Sequence, residues 1–263
     1  MYGTTTFNGY PRPMEERFAS YKRAGLNSIL LWWGNDETPD REGRVQLAKK
    51  YGLVIENVHA TTDGLNMLWS DGEDGEETLS ELLTEIEDCA KYGIQTIVLH
   101  LTNGSNPPAV NDIGIARIEK MIALAEEKRV RLAFENVRIS EHLKYVLDNY
   151  DSPYVGMCYD SGHEHYWTQD VDWLSLYGKR IFAIHLHDNA GDKDTHLIPF
   201  DGTIDWDLKM RQIAKSSYTG TLTIEAEYNA SGVYAEQGFE AFLLKTYKAG
   251  EQLEELLKCY RYV

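Results

Sequence analysis

Short runs of apolar, often β-branched residues alternate along the chain with longer stretches whose apolar residues recur at helical spacing. Such alternation of the two periods is the signature of parallel βα units. Eight of the short runs predict strands: Tyr2 to Phe7, Ser28 to Trp33, Val54 to His59, Thr96 to Leu101, Arg131 to Asn136, Val155 to Asp160, Ile181 to His187 and Thr221 to Glu227. Several are apolar at consecutive positions, as in Ile97-Val98-Leu99 and Ile181-Phe182-Ala183-Ile184. Strands covered on both faces read in that way.

The longer stretches carry helix signals of their own. Pro13 and Gly25 bracket the first, Pro39 and Gly52 the second; proline in the first turn and glycine past the end is the expected asymmetry. A third helix is predicted from Thr78 to Tyr92, with Leu79, Leu82, Leu83, Ile86 and Cys89 at helical spacing. Others are expected over Asp112 to Lys128, Ser140 to Asn149, Val171 to Tyr177, Asp205 to Ser216 and Glu236 to Tyr260; Gly250 interrupts the last and leaves one helix or two. Eight strand-then-helix units in 263 residues predict one domain, 1–263, an α/β chain folded as a single (β/α)8 TIM barrel; that fold typically takes about 250 residues. One loop is long and acidic, Thr61 to Glu77. Its run Asp71 to Glu77 reads as solvated charge, while Asn66 and Trp69 are candidate substrate contacts, because a Trp beside a polar loop can close over a small ligand.

Composition narrows the function. Hydrophobic residues make up 43% of the chain, enough for a large core, and the net charge is −16. An acidic surface is a poor match for a phosphodiester backbone, so no nucleic-acid partner is expected. The three cysteines, Cys89, Cys158 and Cys259, show no Cys-x-x-Cys spacing. Neither a thiolate zinc site nor a disulfide framework is suggested, and a cytoplasmic setting fits. No secretion signal and no membrane-length apolar run is read.

The strand ends then change the picture. Chemistry in eight-stranded barrels sits at the C-terminal ends of the strands. Here strand three ends in His59, strand four near His100, strand five near Glu135, and strand six in Asp160 with His163 three residues on. Strand seven ends in His185-Leu186-His187-Asp188, its loop adds Asp194 and His196, and strand eight carries Glu225 and Glu227. Carboxylates and imidazoles gathered at one barrel mouth are costly without a cation between them. They are ligands for hard to borderline ions: zinc or manganese first, cobalt or iron as alternatives. Strand alternation puts His185 deeper than His187, and Glu225 deeper than Glu227. His187 is read first as a polar rim residue, with a substrate contact or support for a ligand as the other readings.

These motifs resemble the xylose-isomerase-like TIM barrels, which include sugar isomerases, sugar epimerases and endonuclease IV. The likeness rests on Phe134-Glu135-Asn136, Tyr159-Asp160-Ser161-Gly162-His163, His185-Leu186-His187-Asp188-Asn189, Asp194-Thr195-His196, Gly202-Thr203-Ile204-Asp205-Trp206 and Ile224-Glu225. In the sugar branch it implies one divalent metal held by Glu135, Asp160, His185 and Glu225. Glu135 and Glu225 double there as acid and base; His163, read from its own position, is a candidate to polarise a substrate oxygen or to hold a second metal. In the endonuclease IV branch it implies three ions, with His59 and His100 beside a bridging Glu135, and with His163, Asp194 and His196. One to three ions therefore stay open. The chain departs from the repair branch in its acidity and in having only Lys193 and Arg138 as basic residues near the motifs. It departs from the epimerases in lacking an Arg in Asn189-Ala190-Gly191-Asp192.

The expected function is a metal-dependent sugar isomerase or epimerase. A proton is removed beside a carbonyl, and the metal stabilises the enediolate. The substrate is a small, unphosphorylated sugar, since no phosphate-cradling glycine loop is seen. Trp69, Trp33 and Trp32 are candidates to stack on its apolar face. Multi-metal phosphodiester hydrolysis is the alternative. No membrane partner is expected, and homo-oligomerisation is left open.

Overall fold

The computed structural model describes residues 1–261. The last two residues of the predicted 1–263 domain lie outside it. Eight strands form one closed barrel in chain order: β1 (Tyr2–Thr5), β2 (Ser28–Trp32), β3 (Val54–His59), β4 (Thr96–Leu99), β5 (Arg131–Glu135), β6 (Val155–Asp160), β7 (Ile181–Leu186) and β8 (Leu222–Ile224). Every neighbouring pair is parallel, and β8 closes on β1 through Tyr2 opposite Leu222 and Thr4 opposite Ile224. The apolar runs are buried on both faces: Ile97, Val98 and Leu99 on β4 are all fully covered.

The helices are α1 (Met14–Arg23), α2 (Arg41–Lys50), α3 (Glu73–Tyr92), α4 (Asp112–Lys128), α5 (Ser140–Asn149), α6 (Ser161–Trp167), α7 (Trp173–Tyr177), α8 (Trp206–Lys215), α9 (Gly232–Gln237) and α10 (Phe239–Arg261). Three differ from expectation for identifiable reasons.

The acidic run is not a loop: from Glu73 onward it is the first turn of α3. Carboxylates at a helix N-terminus meet the positive end of the dipole, and Arg117 of α4 reaches Glu76 at 3.1 Å. Helix α6 follows Asp160 without a gap, because the Asp160 carboxylate accepts the His163 N–H at 2.7 Å and so caps the turn that starts there. At the C-terminal end, the chain divides at Gly238, which adopts φ +86°, and runs unbroken through Gly250. A side-chain carbon at Gly250 would lie 2.5 Å from the Tyr2 ring, so this glycine serves close packing of α10 on β1. Leu243, Leu253 and Leu257 of α10 are buried against the chain's own barrel.

Candidate metal centre

Parallel register sets the depth of each ligand. Glu135 is the last residue of β5 and lies opposite Cys158; Asp160, the last residue of β6, lies opposite His185 on β7. Glu225 follows β8 directly, and its N–H donates to the Leu186 carbonyl at 3.0 Å, which continues the ladder by one residue. Glu135, Asp160, His185 and Glu225 are therefore brought to one level at the C-terminal face. Their exposure is 3% or less, and one donor atom from each lies within 4.8 Å of all the others. His185 Nδ1 is 3.4 Å from Glu135 Oε1 and 3.3 Å from Glu225 Oε2.

Close approach has not produced hydrogen bonds. Both His185 nitrogens, Asp160 Oδ2 and Glu225 Oε2 are buried without a hydrogen-bond partner among the described residues. Each such orphan costs roughly 1–3 kcal/mol. One nitrogen of His185 with Asp160 Oδ2 and Glu225 Oε2, gathered beside Glu135, fits a divalent ion, which binds oxygen and imidazole nitrogen at about 2.0–2.2 Å.

Electrostatics agree. Burial alone would raise the Glu135 carboxyl, yet the His185 charge and the hydrogen bonds from His100 and His163 hold it well below the usual range. Burial opposes ionisation of Glu225 too, and His185 overrides it, bringing the carboxyl to about 2. In return His185 is driven well above its ordinary value, against burial, by Cys158, Glu225 and Glu135. Protons on imidazoles thus do what a cation would do.

Two further donor groups adjoin this one. His59 Nε2 and His100 Nε2 stand 3.3 Å and 3.1 Å from Glu135 Oε2, forming a group of His59, His100 and Glu135. His163, His187, Asp194 and His196 form the other. His163 Nε2 is 3.5 Å from Asp194 Oδ2, and His196 Nε2 is 3.5 Å from Asp194 Oδ1. His187 is not a rim residue: it is fully buried, stacks on the His196 ring at 3.8 Å, and brings Nε2 to 3.0 Å from Asp160 Oδ1. The β7 alternation carries it inward, and α6 roofs it over; a side-chain carbon on Gly162 would sit 2.0 Å from its ring. Among the described residues Glu227 joins no donor group.

Residues that carried no role in the sequence hold these ligands in place. Asp188 is fully buried and accepts the N–H groups of Asn189, Phe200 and Ile204 and the Trp206 indole N–H. It thereby folds the loop that carries Asp194 and His196. Asn136 clasps Asp160, donating to its carbonyl at 2.8 Å and accepting its N–H at 2.7 Å. An Asp or Asn inside a motif is the signal that was there to find; its partners are distant in sequence.

Aromatic rings flank the mouth. Trp32 stacks on His59 at 5.6 Å, and Phe7 meets both edge-on. Phe7 and Trp32, with Asp36 and Glu37, line a cavity of about 360 Å³. On the other side Trp167, one helical turn past His163, stacks on it at 4.5 Å. Three aromatic and polar expectations fail. Trp69 is buried and donates to the Leu101 carbonyl at 2.7 Å, packed beneath α4 at Gly114. Trp33 is wholly in the core and donates to the Glu85 carbonyl. Asn66 spends its amide on both backbone groups of Asn103, tying the β3 loop to the β4 loop. Packing claims the two tryptophans, whose single N–H is spent on a backbone carbonyl, and a loop clasp holds Asn66.

A family model described as xylose isomerase-like TIM barrel matches residues 18–252. The y4fM protein of Sinorhizobium fredii is 39% identical over 119 residues, 44% of this chain and 37% of that protein. An inosose dehydratase of Clostridium perfringens is 27% identical over 133 residues, 42% of this chain and 45% of that enzyme. The chain thus spans less than half the length of either relative. Among solved structures, D-psicose 3-epimerase from Clostridium cellulolyticum superposes with a TM-score of 0.78 at 12% identity, over 98% of this chain and 99% of that one. The IolI protein, solved with a bound zinc atom, gives 0.72 at 14% identity, over 98% and 99%. At those identities the likeness is one of fold.

Proposed function

The chain belongs to the xylose isomerase-like TIM barrel family, and from that premise we propose that it is a divalent-metal-dependent enzyme that isomerises or epimerises a small sugar or related polyhydroxy ketone. The observation that carries this reading is the set of four buried, converging donors with orphaned atoms at the barrel's C-terminal face. A bound zinc or manganese ion would supply Lewis-acid charge to the substrate's carbonyl and hydroxyl oxygens.

The chain's own residues divide the remaining work. Glu225 is the freer carboxylate: among the described residues Oε2 has no hydrogen bond, and His185 is the one imidazole in ion-pair contact with it. It removes the proton from the carbon beside the carbonyl. Glu135 has two imidazoles at each oxygen, His59 and His100 on one and His163 and His185 on the other. It is therefore chiefly a fixed ligand, and it returns the proton where the product has inverted. His163 stands at hydrogen-bond range of the Asn136 carbonyl and polarises a substrate oxygen with its other nitrogen. Phe7 and Trp32 pack on the apolar face of the sugar. The names of an inosose dehydratase and of a D-psicose 3-epimerase among similar proteins support a carbonyl-bearing polyol as the substrate class.

The test is hydrogen exchange. Protein loaded with Mn²⁺, Co²⁺ or Zn²⁺ is incubated in D₂O with a panel of ketoses, aldoses and inososes. NMR is expected to show deuterium at the carbon beside the carbonyl of at least one. Full metal occupancy with no exchange on any of them would overturn the proposal.

A second reading has its own observation. The groups His59, His100, Glu135 and His163, His187, Asp194, His196 offer places for further ions, as phosphodiester hydrolysis by a metal cluster requires. The net charge of −16 opposes a nucleic-acid substrate. Metal stoichiometry above one, with turnover of a phosphodiester and no carbon–hydrogen exchange, selects this reading.

A further inference from the structure

Directly beneath the four donors lies a layer of small residues. Val98, Ala133, Cys158 and Ala183 form a buried cluster of their own, separate from the main core. Barrel interiors are usually filled by bulky branched side chains. Here one member of the layer carries a sulfur. Cys158 is fully buried, lies opposite Glu135 in the β5–β6 register, and stands two residues before Asp160, on the same face of β6.

A buried cysteine is ordinarily a small hydrophobe. Two observations set this one apart. Its sulfur, a Glu135 oxygen and a His185 nitrogen all lie within 4.8 Å of one another, a donor group that shares two residues with the four-ligand set. And His185, fully buried between them, has no oxygen or nitrogen partner for either ring nitrogen among the described residues, and the Cys158 thiol stands close enough to act on its ring. The thiol is therefore not insulated by hydrocarbon from the position where an ion is answered by Glu135 and His185; it borders it from below.

We propose that Cys158 is a sulfur donor to this centre, which it biases toward zinc, cobalt and other thiophilic ions and away from manganese and magnesium. The proposal rests on the metal-centre reading above. Thiolates are soft ligands that favour zinc, whereas carboxylates alone suit magnesium and manganese. A coordinating thiol binds deprotonated, so the proton leaves to solvent as the ion arrives and the centre gains one negative charge.

Cobalt substitution tests it without any substrate. Co²⁺-loaded wild-type protein is expected to show visible d–d bands together with a near-ultraviolet sulfur-to-cobalt charge-transfer band. Cys158→Ala should keep the visible bands and lose the ultraviolet one. Its preference for Zn²⁺ over Mn²⁺, measured by competition, should fall by about tenfold or more, the scale on which ligand-sphere changes act. Cys158→Ser, with an oxygen in place of sulfur, is the second variant should alanine unfold, and it should lose the same band. Substitution of Cys89 and Cys259 should leave the spectrum unchanged. Visible bands with no charge-transfer band in the wild type, or a band that survives at Cys158→Ala or Cys158→Ser, would overturn the role of Cys158. No visible cobalt bands in any of the proteins would instead overturn the metal centre itself and Cys158 with it.

Discussion

At the scale of single residues, the centre trades protons for metal. His196 is raised to about 9, despite burial, by its hydrogen bond to Asp194 and the charge of Glu225; His163 and His185 are raised as well. A group whose folded value lies above its unfolded one stabilises fully below the unfolded value, about 6.5 for histidine, and that contribution is lost as pH rises through the folded value. The metal-free protein should therefore lose thermal stability between pH 6.5 and 9. Metal binding runs the other way, because ligands must be deprotonated. Calorimetric affinity for Zn²⁺ or Mn²⁺ should climb across the same window, and a pH-independent affinity would contradict the assignment. Glu225, held at about 2, has the opposite sign: its contribution is present above the ordinary carboxylate value near 4.5 and fades as pH falls through 2. Asp188 is the residue whose loss should be felt most outside the ligands. Asp188→Ala strands four donors, three of them buried, and we expect a cost of about 3 kcal/mol, or roughly 6–12 °C in Tm for a chain of this size. A shift below two degrees would mean that the β7–α8 loop does not depend on it.

At the scale of elements, glycines report how tightly helices are set on the barrel. Gly114, in the first turn of α4, would place a side-chain carbon 2.0 Å from the Trp69 ring. Alanine gains about 1 kcal/mol of helix propensity there, but overpacking against a buried, rigid indole costs about 1–3 kcal/mol. The clash should win, so Gly114→Ala is expected to lower the denaturation midpoint. Gly162 makes the same argument about function. In Gly162→Ala the new methyl meets His187 and pushes it off His196. Far-UV circular dichroism should stay unchanged while metal retained after dialysis falls severalfold; undiminished retention would show that His187 has no part in holding the ligands. The reading of α3 illustrates how a charge run misleads. Asp71 to Glu77 looks like a solvated loop, yet most of it is a helix start, because acidic side chains favour that end of a helix.

At the scale of the whole molecule, the barrel is a frame that pays for an unstable arrangement at one face with a well-packed interior elsewhere. Orphaned donors at the centre mean that the ligated protein should be the more stable one. With a divalent ion at 100 times its dissociation constant the gain is about 2.7 kcal/mol, or roughly 5–11 °C in Tm, reversed by a chelator. Scanning fluorimetry with and without chelator measures it, and an unchanged Tm would count against a resident ion. Among the described residues no helix is long and apolar enough to cross a membrane.

Much of this was legible from residue order alone. The two hydrophobic periods, read against length, determine eight strand–helix units, since a strand buried on both faces and a helix buried on one leave different local patterns. A barrel mouth rich in His, Asp and Glu follows too, because chain direction and alternation decide which residues end a strand facing inward; the choice of Glu135, Asp160, His185 and Glu225 among them is what the likeness to the xylose-isomerase-like barrels implies. What residue order leaves undecided is everything that depends on contact between distant segments. Trp69 and Trp32 are alike as residues beside a loop, and packing sends one under α4 and leaves the other at the mouth. His187 reads as rim until α6 is seen to cover it. Cys158 reads as filler until register sets it beside Glu135 and beneath His185. In each case local pattern determines which face a side chain takes, and only closure of the barrel determines what it meets there.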